Sequence, residues 1–220
     1  MTFSILAQDL NTGCMGGAAA TGSLCVGGWV LRGDSRAGMS ASQGAAPSTL
    51  WGEDALNRMQ AGDTAEQAVA AITQADAGRD WRQIAALDHA GGTACFTGAH
   101  NTVWRGSLVE PGLVVSGNLL AGPQVLAAMR DTFVTAAGSL AERLLAALAA
   151  AEAAGGDTRG LQSAALLVVS DDAAPLTLRI DWAEDPIKDL RHLHARSQSG
   201  DYAAWLPSVP TRNHPDRCHG

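Results

Sequence analysis

Lysine is almost missing from this chain: Lys188 stands alone among 220 residues. A Schiff-base or lysine-base mechanism would have to run through that one side chain. It follows Asp185 and Pro186 at an expected helix start, on an exposed face, which argues against that role. Charge is sparse as well, at 17%, and acidic residues outnumber basic ones 22 to 15, for a formal net charge of −7. With no basic block, nucleic acid and anionic membrane surfaces are poor partners. Every apolar run is interrupted by Gly, Ser, Arg or Asp before it reaches the ~20 residues that span a bilayer, so no membrane segment is expected. The N-terminus lacks a basic stretch followed by an apolar one, so no signal peptide is expected and the chain reads as soluble and cytoplasmic.

The four cysteines, Cys14, Cys25, Cys95 and Cys218, form no C-x-x-C pair and match no zinc spacing. In a cytosolic protein they stay reduced and act as small apolar filler. Cys218 lies near His214 and His219, but that loose cluster reads as a tail rather than a metal site. His89 and His100 fall in turns or loops. His192 and His194 are two apart and so do not share a helical face. The six tryptophans are scattered, as core or interface residues are. No phosphate-binding glycine loop precedes a helix; Gly13, Gly16 and Gly17 sit in a hairpin instead. No metal or organic cofactor is expected.

What remains is a chain with 46% hydrophobic residues, enough for a real core in one domain. Period-2 alternation predicts strands at 3–9 and 14–21 around an Asn11-Thr12-Gly13 turn. Further strands are expected at 25–31 and 37–43, with a turn at 32–35. The period then changes. Helices are expected at 47–61 and 63–73, the second with Asp63 and Glu66 as a capping-box variant. A hairpin follows over 83–88 and 93–97, then short strands at 103–105 and 112–116. Helices are expected at 123–135 and 139–154, the latter capped by Ser139 and Glu142. A strand pair at 164–170 and 176–182 and a helix from Asp185-Pro186 complete residues 1–200. Residues 201–220 read as an irregular tail or packing arm. Grouped strands and grouped helices predict an α+β fold with two mainly antiparallel sheets and helices layered outside.

Chemistry is possible at the N-terminus. The second residue is Thr2, small enough for Met1 to be trimmed. That would put a free α-amine and a hydroxyl on one residue. An α-amine has a pKa of ~7.7–8.0, so a usable fraction is neutral near pH 7 and can take the hydroxyl proton. Nucleophile and base then come from one residue, and the lack of a Ser/His/Asp or Cys/His set is no obstacle.

The opening MTFSILAQDLNTGCMGGAAATGS resembles the start of the bacterial family called domain of unknown function ten-twenty-eight, whose members resemble N-terminal-nucleophile (Ntn) hydrolases. The likeness continues in order through RAGMSASQ (36–43), RQIAALDHAG (82–91), TG (97–98), SGNLLAGPQVLAAM (116–129), LAERLLAALAAAEAAGGDTRGLQSAALLVV (140–169) and LRIDWAEDPIKDLRHL (178–193). It covers roughly residues 1–195. The resemblance implies a four-layer αββα sandwich. Threonine hydrolases of the proteasome type also use an early acidic residue and a lysine. Asp9 or Asp34 could supply the first, but no early lysine exists, and Arg32 or Arg36 cannot act as a base. That departure argues against a proteasome-like peptidase more than against amide hydrolysis.

Three supporting residues are candidates. Asn118 follows a strand ending in Gly117, and its amide can donate to an oxyanion. Gln43, at another strand end before Gly44, offers similar donors. Asp181, before Trp182, can bind the ammonium. The first reading is an Ntn-type amidohydrolase in which Thr2 attacks a small amide or peptide-like substrate. The second is a non-hydrolytic Ntn-like ligand-binding scaffold that keeps Met1. Under either reading a homodimer is the expected assembly.

Overall fold

The computed structural model describes residues 2–218. Met1, on which the trimming expectation bears, and His219, of the loose tail cluster, lie outside the described residues. Strands β1 (Thr2–Gln8), β2 (Met15–Thr21), β7 (Gly106–Glu110), β8 (Leu113–Asn118), β9 (Ser163–Val169) and β10 (Leu176–Ile180) form a six-stranded sheet in the order β10-β9-β2-β1-β8-β7. Strands β3 (Leu31–Asp34), β4 (Gly38–Gly44), β5 (Arg82–Asp88) and β6 (Thr93–Thr97) form a four-stranded sheet in that order. Every pairing is antiparallel. The helices are α1 (Val26–Trp29), α2 (Thr49–Gln60), α3 (Ala65–Ala75), α4 (Gln124–Thr135), α5 (Leu140–Ala153), α6 (Pro186–Ser197) and α7 (Gly200–Trp205). The α+β class and the two antiparallel sheets expected from the sequence are what the chain forms.

Side-chain alternation builds three apolar clusters. On one face of the larger sheet, Phe3 and Ile5 of β1, Ala18 and Ala20 of β2 and Leu166 of β9 meet Met129 of α4, Leu144 and Leu148 of α5 and Leu190 of α6. On its other face, Leu6, Val114 and Ala165 pack against Met39, Ala41, Ala85 and Leu87 of the smaller sheet. The outer face of the smaller sheet gives Ile84 and Ala86 to Trp51, Ala55 and Met59 of α2 and Val69 of α3. The middle cluster matters most, because the residues that continue its rows lie at one end of both sheets.

β2 is small and glycine-rich because a helix lies directly on it. A Cβ added at Gly16 would sit 2.9 Å from Leu144 Cδ1 of α5 and 3.0 Å from the Leu167 carbonyl. Helix α5 starts at the capping box expected for it: the Ser139 hydroxyl accepts the Glu142 N–H, and the Glu142 carboxylate accepts the Ser139 N–H at 2.7 Å.

Five expectations need correction. The strand expected at 25–31 is instead one helical turn, α1, followed by β3. Cys25 adopts a left-handed conformation (φ 61°), its N–H donates to the Asp181 carbonyl, and the Val26 N–H donates to Ser163 Oγ. Gly27 lets this turn lie against Arg179 and Ala165, where a Cβ would come within 2.7 and 2.8 Å. The turn expected at 32–35 shifts accordingly, since Asp34 pairs with Gly38. The second helix begins one step later than read, with Thr64 and Gln67 as its capping box, because Asp63 is held by Arg58 at 2.6 Å. Residues 103–105 are not a strand: Trp104 exchanges backbone hydrogen bonds with Leu120 in a loop, and β7 starts at Gly106. After Gly200 the chain forms α7 and a 3-10 turn, Leu206–Ser208, rather than irregular backbone. It then returns to the β3–β4 and β9–β10 turns, where Arg212 pairs with Asp34 and Asp171, and the Asn213 N–H donates to the Asp171 carbonyl.

Candidate active site at the polar end of the two sheets

Following the middle cluster along each strand shows how the site arises. Leu6, Ser4 and Thr2 share one face of β1 because side chains repeat every two residues. Val114, Ser116 and Asn118 do so on β8, Ala19 and Thr21 on β2, Met39, Ala41 and Gln43 on β4, and Leu87, Ala85 and Gln83 on β5. Each row is apolar between the sheets and becomes polar at the same end. Thr2 stands opposite Thr21 in one strand pair and opposite Asn118 in the other, and Gln43 stands opposite Gln83. All of these polar side chains are buried.

Gln83 organises them. It is fully buried, and its Nε2 donates to Thr97 Oγ1 at 2.8 Å, to the Gly117 carbonyl at 3.0 Å and to the Gly106 carbonyl at 3.2 Å. Two backbone carbonyls can only accept, so the Gln83 amide orientation is fixed and its Oε1 must accept. That oxygen takes Gln43 Nε2 at 2.8 Å and Asn118 Nδ2 at 3.1 Å. Gln43 Nε2 also lies 3.4 Å from the Thr2 carbonyl and 3.5 Å from Ser116 Oγ. The Gln43 orientation is thereby set too, and its Oε1 is left buried with no hydrogen-bond partner. Thr2 Oγ1 donates to Thr21 Oγ1 at 3.2 Å, and Ser4 and Ser116 share a hydrogen bond at 3.1 Å.

Thr2 and Gln43 line a cleft of about 430 Å³ together with Thr21, Leu24, Val26, Trp29, Pro47 and Arg159. Thr2 itself is only 7% exposed, so a reactant would reach it through this cleft. Arg159 is the single charged side chain lining the cleft among the described residues. It is held by Asp157, whose carboxylate is fully buried and also accepts the Gly22 N–H at 2.6 Å. A hollow of about 590 Å³ beside α2 and α3 is larger, but Asp76 and Arg82 close on each other there at 2.6 Å. The Arg82 hydrogen bond holds the Asp76 carboxyl below its usual range. Burial raises the Glu152 carboxyl and lowers the His194 imidazole, but these groups lie on α5 and α6, away from the cleft. Among the described residues no three His, Cys, Asp or Glu side chains converge to hold a metal, and no helix is long and apolar enough to cross a membrane.

The structure therefore brings Thr2, Gln43 and Asn118 together and leaves Asp181 outside. Asp181 follows β10, three strand spacings or about 14 Å from β1. It is half exposed and paired with Arg179 at 2.8 Å. Gln43 also differs from its expected part, since its donor is committed and its acceptor is the open group. Sequence reasoning missed Gln83, Thr21 and Arg159. Gln83 and Thr21 carried a signal, a polar residue in phase with the buried row of an apolar strand. Arg159 carried none, because only the fold brings the loop before β9 to the end of β2.

The profile of a family of unknown function (DUF1028) matches residues 2–190. The chain belongs to this family. A crystal structure of a family member from Silicibacter pomeroyi is 51% identical over all of this chain and 99% of that one, with a TM-score of 0.96. No curated protein matches the chain.

Proposed function

We propose that this family member is an Ntn-type amidohydrolase whose nucleophile is Thr2. The observation that carries the reading is the placement of Thr2. It is the first residue of a central strand, held at both sides by β2 and β8, with its side chain at the polar end of the inter-sheet layer and on a cleft. The three apolar clusters stacked between helices and sheets support a four-layer αββα sandwich of the Ntn kind.

Removal of Met1 exposes the α-amine on the residue that bears the hydroxyl. The amine takes the Thr2 Oγ1 proton, directly or through a water, and Oγ1 bonds to the substrate carbonyl carbon. Asn118, across the strand pair, has one N–H on Gln83, and its other N–H is the donor this reading assigns to the oxyanion. The C–N bond then breaks, and the leaving nitrogen carries the proton away as an amine. Water hydrolyses the resulting ester, returning Thr2 and releasing a carboxylic acid. A small amide or peptide-like substrate fits a cleft of this size. A cytoplasmic homodimer belongs to the same reading.

In protein beginning at Thr2, Thr2→Ser should keep amide turnover and Thr2→Ala should abolish it without unfolding the chain. Turnover unchanged in Thr2→Ala would refute the mechanism. One observation favours the second reading, a ligand-binding Ntn-like scaffold that keeps Met1. Among the described residues no histidine, lysine or carboxylate lines the cleft, so a blocked α-amine would leave Thr2 without a base.

A further inference from the structure

Two groups on the cleft have chemistry that the proposed hydrolysis does not use. The first is Arg159. Its guanidinium is held in place, with Nη2 3.1 Å from Asp157 Oδ2 and Nε 3.3 Å from Oδ1. Asp157 is wholly enclosed and also accepts the backbone N–H groups of Gly22 at 2.6 Å and Arg159 at 2.8 Å. The guanidinium thus shares the Asp157 carboxylate with two backbone N–H groups. The Arg159 side chain is 42% exposed, and no acidic side chain among the described residues lines the cleft. The second group is Gln43 Oε1. It is an acceptor on a side chain 1% exposed, its orientation is fixed through Gln83, and it has no donor. Buried acceptors of this kind are normally paired.

Both groups are tied to the strand ends that carry the Thr2 and Thr21 hydroxyls. Gln43 is tied to the Thr2 carbonyl. Arg159 is tied through Asp157 to Gly22, the residue after Thr21. Val26, Trp29 and Pro47 supply apolar wall for a compact hydrocarbon portion.

We propose that the cleft selects a small amide bearing a carboxylate, with the carboxylate on Arg159 and a ligand N–H donating to Gln43 Oε1. That the ligand is cleaved rests on the nucleophile reading above; the selection of an N–H-bearing anion does not. A guanidinium makes stronger, charge-assisted hydrogen bonds to a carboxylate than to a neutral carboxamide.

The test uses full-length protein beginning at Thr2 and matched probes: N-acetylglycine and N-acetylleucine, each against its primary carboxamide. Binding is followed by titration calorimetry and cleavage by amine release. The acids should bind at least tenfold more tightly than the carboxamides. Arg159→Gln should remove that preference, and any cleavage should show the loss in KM rather than kcat. Arg159→Lys should restore part of it. Arg159→Gln keeps its backbone N–H on Asp157, and a thermal melt verifies its fold. Equal binding of acid and carboxamide overturns the proposal, as does a preference that survives Arg159→Gln or the absence of binding by every probe. Selective binding of the acids without cleavage upholds anion selection and overturns the nucleophile reading alone.

Discussion

Replacing Gln83 by methionine keeps the side-chain volume and removes every hydrogen bond it makes. Asn118 Nδ2 then loses its acceptor at 3.1 Å inside the protein. A buried donor left unpaired costs ~1–3 kcal/mol. Gln43 Nε2 loses its shortest bond, at 2.8 Å, and retains only the contacts at 3.4 and 3.5 Å. A typical net hydrogen bond adds ~1 kcal/mol. Thr97 is partly exposed and can turn to water. The sum is about 2–4 kcal/mol. At ~2–4 °C per kcal/mol for a chain of this size, the melting temperature should fall by roughly 5–15 °C. Urea unfolding should show a lower midpoint with an unchanged slope, since the surface exposed on unfolding is the same. Because Gln43 and Gln83 touch, a cycle with Gln43→Met should be non-additive by ~0.5–3 kcal/mol. A loss below ~1 kcal/mol, or a strictly additive cycle, would refute the view that Gln83 holds the site together.

Gly16→Ala should destabilise by ~1–3 kcal/mol, because the new Cβ meets Leu144 of α5 and two atoms of β9 at 2.9–3.1 Å; an unchanged melt would contradict the close approach. Ser139→Ala should cost ~0.5–2 kcal/mol by removing the cap of α5, read from urea midpoints. The Ser139 backbone N–H, and then its hydroxyl, hold the Glu142 carboxyl below its ordinary range. A carboxyl depressed in the folded state stabilises above its unfolded pKa of ~4.3, and this contribution is lost as pH falls through the lower folded value. Glu142→Gln should therefore lose less stability than wild type on acidification below about pH 4.3, and parallel acid limbs would refute this.

The elements that announced themselves in the sequence did so through local rules. Ser139, Glu142 and the leucines of α5 satisfy capping and helical period together. The two flanking β-hairpins of β1–β2 and β9–β10 show alternation broken by turn residues. Thr2 was legible because being second in the chain is itself a chemical property, and Asn118 because a polar side chain after Gly117 ends a strand. Other features depend on contacts distant in sequence. The 25–31 segment has strand composition but is curled by bonds from Ser163 and Asp181. Asp181 looked like a site residue from its place at a strand end, yet the strand order β10-β9-β2-β1 puts two strands between it and Thr2. Gln83 joins two sheets, and Arg159 reaches the cleft only because buried Asp157 grips the end of β2. Neither partnership leaves a mark within a window of one strand.

All the proposed chemistry requires Thr2 to begin the mature chain. The intact mass of the protein purified from the cells that make it naturally decides this directly. The account predicts a mass lacking Met1, which places a free amine beside the Thr2 hydroxyl at the head of β1. A mass that includes Met1 would leave the hydroxyl without its base, contradict N-terminal catalysis, and favour the ligand-binding scaffold.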